Sequence, residues 1–320
     1  MPCKSIALAA MLLAGSVHAE DVVRLGNLKF AHYGAVSYIK EIAPKCGIKV
    51  EEHVFAKGLD VMQGIIAGEI DVGATGSEAA ISARASGAPI FVVAGFAKGG
   101  ARLIARPGIG IKTVKDLKGH KVGVTRGGIQ DLLLLAELQQ AGLTFSDAPG
   151  KDVQLVYLGY PDLNQALMGK NLDAILQSEP QSSQAISKGF GIEILKPYDT
   201  PIGEPVRTMV MTEKFYKEKR GVAEKFMKCF VEATKTFIDT KGAAEKYVRE
   251  VVFKGQLTHE DFEDAIGNSP YTYDISPEHI QVTTDVMAKT GGGKMAKPPL
   301  AKDWVKTDLL DAAKKSLGVK

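Results

Sequence analysis

One stretch recurs in this chain, and it limits what the chain can fold into. Residues 57–80 read as helix, tight turn, short strand, loop and helix. Val61, Ile65 and Ile66 form an apolar stripe at helical spacing. Gly68 stops that helix. Ile70, Val72 and Ala74 alternate as a short buried strand. Thr75-Gly76-Ser77 then turns into a second helix, with Ser77 as the expected N-cap. A shift of 102 residues places Gln63 on Gln165, Ile70 on Leu172, Asp71 on Asp173, Thr75 on Gln177, Ser77 on Glu179 and Gly87 on Gly189. Two such units predict two similar α/β lobes. If both strands end at one cleft, Thr75 and Ser77 face Gln177 and Glu179 across it. A strand feeding a helix through glycine and hydroxyl residues leaves backbone N–H groups free for a negatively charged group.

The N-terminus reads as an export signal. Lys4 is the basic head, residues 6–13 are a short apolar run, and Val17-His18-Ala19 fits a small-residue cleavage site. Cleavage after Ala19 would leave a chain in the periplasm that starts at Glu20. Nothing downstream reaches the run of about 18 apolar residues needed to span a bilayer. The formal charge of +3 loses one with Lys4, and no basic cluster interleaves with aromatics, so nucleic-acid binding is not expected. Cys46 and Cys229 remain beyond the signal. Their apolar neighbours predict two buried free thiols. No Cys-x-x-Cys or His-x-x-x-His spacing points to a metal site, and no cofactor motif is present.

Strands are read over 22–28, 49–55, 90–96, 121–124, 153–157 and 208–212, mostly apolar and alternating with helices. That rhythm means parallel sheet covered on both faces. Beyond residue 212 only helices are expected, broken at Gly291-Gly292-Gly293. This tail must pack on something, and the first lobe is the expected support. The domain reading is therefore a signal over 1–19, a discontinuous first lobe over 20–97 and 207–320, and an inserted second lobe over 98–206. Two crossings, near 95–100 and near 204–207, would constrain the lobes to a hinge motion, with the Gly-rich break Ala97-Lys98-Gly99-Gly100 as the candidate hinge.

Three segments carry a family likeness: residues 63–87, then Val114-Lys115-Asp116-Leu117-Lys118-Gly119-His120-Lys121-Val122-Gly123-Val124, then residues 166–180. In this order they resemble the periplasmic solute-binding proteins of ABC importers, specifically the family serving nitrate, aliphatic sulfonates and taurine. The resemblance implies a two-lobed type II periplasmic-binding-protein fold, each lobe a mostly parallel sheet flanked by helices. It also implies a monomer that holds a small-molecule ligand between the lobes and delivers it to a permease in the inner membrane. The general rule for open α/β sheets places ligands at the carboxyl ends of the strands.

Candidate ligand contacts follow from the residues at those ends. Thr75, Gly76 and Ser77 offer hydroxyl and N–H donors at a helix start. Arg126-Gly127-Gly128 opens a helix of the second lobe, with Arg126 suited to a bidentate pair with carboxylate or sulfonate. Phe30, His32 and Tyr33 would form a wall, with His32 also read as a local hydrogen-bonding residue. Phe96 would form a floor or pack in the core. Glu78, Gln177 and Glu179 complicate an anion site. A ligand facing either glutamate should carry a donor or positive group, as an amino-sulfonate or nitrogen heterocycle does. Asp71 and Asp173 are read as caps of local backbone. Catalysis is not expected: a Gly-x-Ser-x-Gly elbow is absent, and so is the Cys-rich motif of the related thiamine-pyrimidine synthases. A sensory binding protein feeding a receptor has the same sequence signature as an importer component.

Overall fold

The computed structural model describes residues 21–290 and 295–319. The expected export signal and the expected helix break at Gly291-Gly292-Gly293 lie outside the described residues. The first part of the chain gives β1 (Val22–Leu28), α1 (Gly34–Ile42), β2 (Lys49–Phe55), α2 (Gly58–Ile66), β3 (Val72–Gly76), α3 (Ser77–Ala85) and β4 (Ile90–Lys98). The middle gives β5 (Ala101–Ala105), β6 (Lys121–Val124), α4 (Ile129–Gln140), β7 (Phe145–Ser146), β8 (Val153–Tyr157), α5 (Tyr160–Met168), β9 (Ala174–Ser178), α6 (Gln181–Ser187) and β10 (Ile192–Leu195). Then come β11 (Val206–Thr212), α7 (Glu213–Glu218), α8 (Arg220–Asp239), α9 (Lys241–Lys246), a π-helical turn (Tyr247–Val252), α10 (His259–Asn268), α11 (Pro277–Thr290), α12 (Ala301–Trp304) and α13 (Asp308–Ser316).

Two sheets result. The first has the order β2-β1-β3-β11-β4, the second β10-β5-β9-β6-β8-β7. Both are mixed. β11 runs antiparallel between β3 and β4, and β5 runs antiparallel between β9 and β10. An all-parallel rhythm is what βαβ units predict. The two antiparallel strands are those joined to their neighbours by the inter-sheet crossings instead, so no helix returns the chain to the same edge.

The repeat is visible in the coordinates. α2 and β3 lie 102 positions before α5 and β9, residue for residue. The two aspartates do the same job in each copy. Asp71 accepts from the backbone N–H of Arg24 at 3.1 Å and pairs with its guanidinium at 2.7 Å. Asp173 accepts from the backbone N–H of Lys121 at 3.0 Å and pairs with Arg106 at 2.8 Å. The copies diverge at the second helix, which starts at Ser77 in one and at Gln181, after Pro180, in the other.

The crossings are short. Gly99 and Gly100 take φ of +64° and +73°, a region that an L side chain rarely enters. The N–H of Gly99 donates to the carbonyl of Pro205 at 2.8 Å, so the outgoing and returning strands are tied together at the boundary. The C-terminal helices pack mainly on the first sheet, with α8 against α1, α11 against α3 and α12 against β4. Trp304 on α12 is fully buried there. α10 makes a contact that the sequence pattern did not foresee. It lies against α6 of the second sheet, where Ser187 donates to Asp261 at 2.6 Å. Cys229 is buried in the core, whereas Cys46 is only partly buried; both thiols are free. Among the described residues no helix is long and apolar enough to cross a membrane.

Candidate functional site

The ends of β1, β3, β6 and β9 converge between the two sheets. The small cavity there is lined by Phe30, His32 and Tyr33 from the loop after β1 and by Gly76 and Glu78 at the start of α3. Across from them are Arg126, Gly127 and Gly128 before α4 and Tyr160 at the start of α5, while Arg207 on β11 completes the lining from the first sheet. Its free space is about 20 Å³ for the centre of a water-sized sphere, room for little more than one water in this arrangement. The strand-end loops of both repeats therefore face one shared crevice.

Arg207 dominates it. The side chain is 2 % exposed, and its Nη1 and Nη2 have no hydrogen-bond partner among the described residues. It stands opposite Gly76 on one side and Ala97 on the other, in the middle of the first sheet. The Tyr33 hydroxyl approaches it without meeting hydrogen-bond geometry. Burying an ion without full pairing costs several kcal/mol, so a guanidinium held this way invites an anion. Sequence reading missed this residue because it took the strand to begin at Thr208 and assigned 204–207 to the crossing. The available signal was a lone charge flanked by Val206 and by Thr208-Met209-Val210-Met211.

Glu78 is the second surprise. Helix α3 has Gly76 as its N-cap and no side-chain cap, so Ser77 is its first residue rather than its cap. The Glu78 carboxylate curls back over this helix start. A Cβ on Gly76 would lie 2.2 Å from its Oε2, so a side chain there would push the carboxylate out of this position. Burial pushes the carboxyl up to about 7, against the pull of Arg207 and of the N–H groups of Glu78, Ile129 and Ala79. Ile129 begins α4 on the second sheet, so this carboxylate touches both units. The chain's own acid sits where the sequence pattern placed an external anion.

Thr75 and Ser77 are fully buried, and neither hydroxyl has a partner among the described residues. They lie just behind the lining, with Thr75 directly beneath Gly58. His32 is fully buried and stacked on Phe30 at 5.7 Å. Burial, followed by the nearby Arg207, drives its pKa well down, so the ring is neutral. It makes no hydrogen bond among the described residues, contrary to its reading as a local hydrogen-bonding residue. Phe96 is packed beneath Tyr33 at 4.7 Å and does not reach the cavity.

Three further expectations change. Arg126 does line the rim, but its guanidinium is 63 % exposed, pairs with Asp147 at 2.6 Å and stacks on Tyr157 at 3.7 Å. The Asp131 side chain accepts from Gly127 N–H at 2.8 Å, so the α4 start is partly satisfied within the chain. Gln177 donates to the Tyr160 carbonyl at 3.0 Å and accepts from Ser178 N–H at 2.8 Å, and it stays out of the lining. Glu179 does not face the cleft. It is fully buried against Arg102 at 2.5 Å and the Ser183 hydroxyl at 2.7 Å. Tyr160 and Gln130, unforeseen in the sequence, join the site: the Tyr160 hydroxyl donates to Gln130 at 2.7 Å, and Gln130 donates to the Gly100 carbonyl at 3.3 Å. Among the described residues one group, Glu245, His259 and Glu263, brings potential metal ligands together. Glu245 is already held there by Arg249 at 2.6 Å, which makes the group a surface ion-pair cluster.

Residues 21–252 match the model of the NMT1-like family. The chain belongs to the NMT1-like family. A provisionally named aliphatic sulfonates-binding protein of Escherichia coli is 36% identical over 173 residues, which are 53% of this chain and 50% of that protein. The alignment thus spans about half the length of that relative. A provisionally named ABC transporter periplasmic binding protein of Brachyspira hyodysenteriae is 22% identical over 332 residues, covering 96% of this chain and 94% of its own. Among solved structures, the alkanesulfonate-binding protein of Xanthomonas axonopodis pv. citri bound to MOPS superimposes with a TM-score of 0.74 at 18% identity, over 90% of this chain and 99% of that one. This NMT1-like chain therefore has the two-lobed periplasmic-binding-protein fold.

The raised Glu78 carboxyl gives the family member a pH signature. The folded form keeps this proton to higher pH than the unfolded chain, whose carboxyl titrates near 4.5. Stability from Glu78 is therefore full below pH 4.5 and falls as pH rises to about 7. The expected loss is about 3 kcal/mol. Urea denaturation of wild type and Glu78→Gln at pH 5 and pH 8 should show a smaller pH difference in the variant. Equal pH differences would remove the assignment.

Proposed function

We propose that this chain is the extracytoplasmic substrate-capturing component of an ABC importer. It binds a small organic acid, a sulfonate, carboxylate or taurine-like zwitterion, between its two lobes and delivers it to a membrane permease. The single observation that carries this reading is the buried, unpartnered Arg207 guanidinium facing a crevice shared by both repeats. A planar fork of donors matches a carboxylate or sulfonate. The free hydroxyls of Thr75 and Ser77 stand close behind. Glu78 supplies an acceptor, which favours a ligand with an ammonium or N–H group; a nitrogen heterocycle is the second reading that this acceptor supports. The names of the relatives agree with an acid ligand. Exported placement in the periplasm is supported by the signal-like pattern of residues 1–19 and by the name of the Brachyspira relative.

The mechanism is capture by closure. A ligand bound to Arg207 and to the α4 start touches both lobes at once. Only such a difference in affinity shifts the open and closed populations. The glycine pair at 99–100 supplies the hinge. Among the described residues of the site none is arranged as a nucleophile with a base, which supports a reading of binding rather than turnover. A thermal-shift screen of acetate, taurine, methanesulfonate, benzoate and their aromatic homologues tests it. Binding stabilises the folded state by roughly 2.7 kcal/mol at a hundredfold excess over Kd. A screen in which no acid raises the melting temperature of a folded sample would sink the proposal.

A further inference from the structure

The inner cavity and a much larger one share a wall. On the far side of Phe30 and Tyr160 lies a groove of about 560 Å³, against about 20 Å³ inside. Phe30 and Tyr160 line both spaces and meet edge to face at 5.1 Å. One comes from the loop after β1 and the other from the start of α5, so the pair is a buried partition to which both lobes contribute. The groove is likewise shared. Phe55 belongs to the first sheet, Phe190 follows α6 on the second, and Phe253 follows the π-helical turn.

Its chemistry is one-sided. Five aromatic rings line it, and among the described residues no aspartate or glutamate does. Lys29 and Lys188 sit at its rim, and neither forms an ion pair with a carboxylate among the described residues. Lys29 instead stands over the Phe253 ring at 5.5 Å. The Gln181 side-chain oxygen is buried there without a partner among the described residues. A volume of this size falls in the range of about 300–1,000 Å³ that takes drug-sized ligands. Aromatic faces, amide groups and unpaired cations without acids complement a flat aromatic anion.

We propose that this groove holds the aromatic body of the ligand, so that the substrate is an aromatic organic acid. Its acid group enters between Phe30 and Tyr160 toward Arg207, and its rings lie against Phe55, Phe190 and Phe253. The inference rests on the acid-binding reading and adds the substrate class. The inner cavity, which has to widen by parting of the lobes to admit an acid group, selects the head group, and the groove selects for ring size.

Calorimetry at 0.15 M salt with two matched pairs tests it: methanesulfonate against naphthalene-2-sulfonate, and acetate against 2-naphthoate. The exposed groove residues Lys188 and Met168 are changed in Lys188→Glu and Met168→Glu, neither of which touches the core. The naphthalene acid of at least one pair should bind at least tenfold more tightly than its methyl counterpart. Each variant should weaken it about fivefold or more while leaving the methyl acid unchanged. Equal affinities within both pairs, or variants that bind the naphthalene acid like wild type, overturn the groove assignment and leave the acid-binding reading in place. No binding of any of the four acids to folded protein overturns the groove assignment, and if taurine also fails to bind, the acid-binding reading falls with it.

Discussion

Arg207→Met should lower the affinity for any acid that wild type binds by at least a hundredfold, equivalent to about 2.7 kcal/mol. The physical reason is that two charge-assisted hydrogen bonds, each worth about 1.5–3 kcal/mol, are lost together. Methionine keeps most of the volume of a side chain that is 2 % exposed. Glu78, deprived of its nearby cation, takes up a proton rather than remaining a buried charge. Arg207→Lys keeps the charge but loses the fork, and should fall between wild type and Arg207→Met. Arg126→Ala is the contrast. Its guanidinium is exposed and already paired with Asp147, so its loss should change affinity by about threefold or less. Titration calorimetry of the three variants with the strongest acid from the screen orders them. If Arg207→Met binds as wild type does while Arg126→Ala does not, the site has been centred on the wrong cation.

Arg102→Met should destabilise the fold by about 3–5 kcal/mol, because removing one partner of a buried pair leaves an uncompensated charge. Arg102 is 2 % exposed, and Glu179 is fully buried. The guanidinium is saturated. It donates to Glu179 at 2.5 Å, to Glu193 at 3.0 Å, to Asp264 at 2.6 Å and to Ser183 at 2.9 Å. Asp264 lies on α10, so this one side chain also fastens the C-terminal helices to the second sheet. Burial pushes the Glu179 carboxyl upward, and Arg102 with Ser183 draws it back. Without Arg102 the carboxyl should be protonated, so the defect should shrink as pH falls. The double variant Arg102→Met, Glu179→Leu should recover much of the loss. Urea denaturation at pH 5 and pH 8 reads all three. A loss below about 1 kcal/mol at pH 8 would show that the network adds nothing beyond packing.

The two arginines show why the site was only half legible from sequence. Both occur as single charges within apolar strands, and nothing local separates the one that is saturated from the one that is not. The partners of Arg102 lie 77, 81, 91 and 162 positions away along the chain. Arg126 looked more promising than either, because it sits before two glycines at a helix start. Its partners, Asp147 and Tyr157, occupy a loop and a strand end that no periodic signal brings near it. Glu78 was read correctly as a helix-start acid. That its carboxylate returns over Gly76 and reaches Ile129 depends on how closely the two sheets approach.

What the chain's own pattern determined was local. Alternating apolar strands, glycine stops and a copy displaced by 102 positions set the elements, their order and the two-lobed plan. The aspartates at 71 and 173 were read as caps of local backbone, but they hold Arg24, and Lys121 with Arg106, 47 to 67 positions away. Tertiary structure decided which charges are paired, which are left free, and that an aromatic partition divides a small polar chamber from a wide groove. The reason is one of range. Strand and helix periodicity arises between residues a few positions apart, where sequence and space nearly coincide. Pairing and burial of charge arise between residues that only the folded sheets bring together.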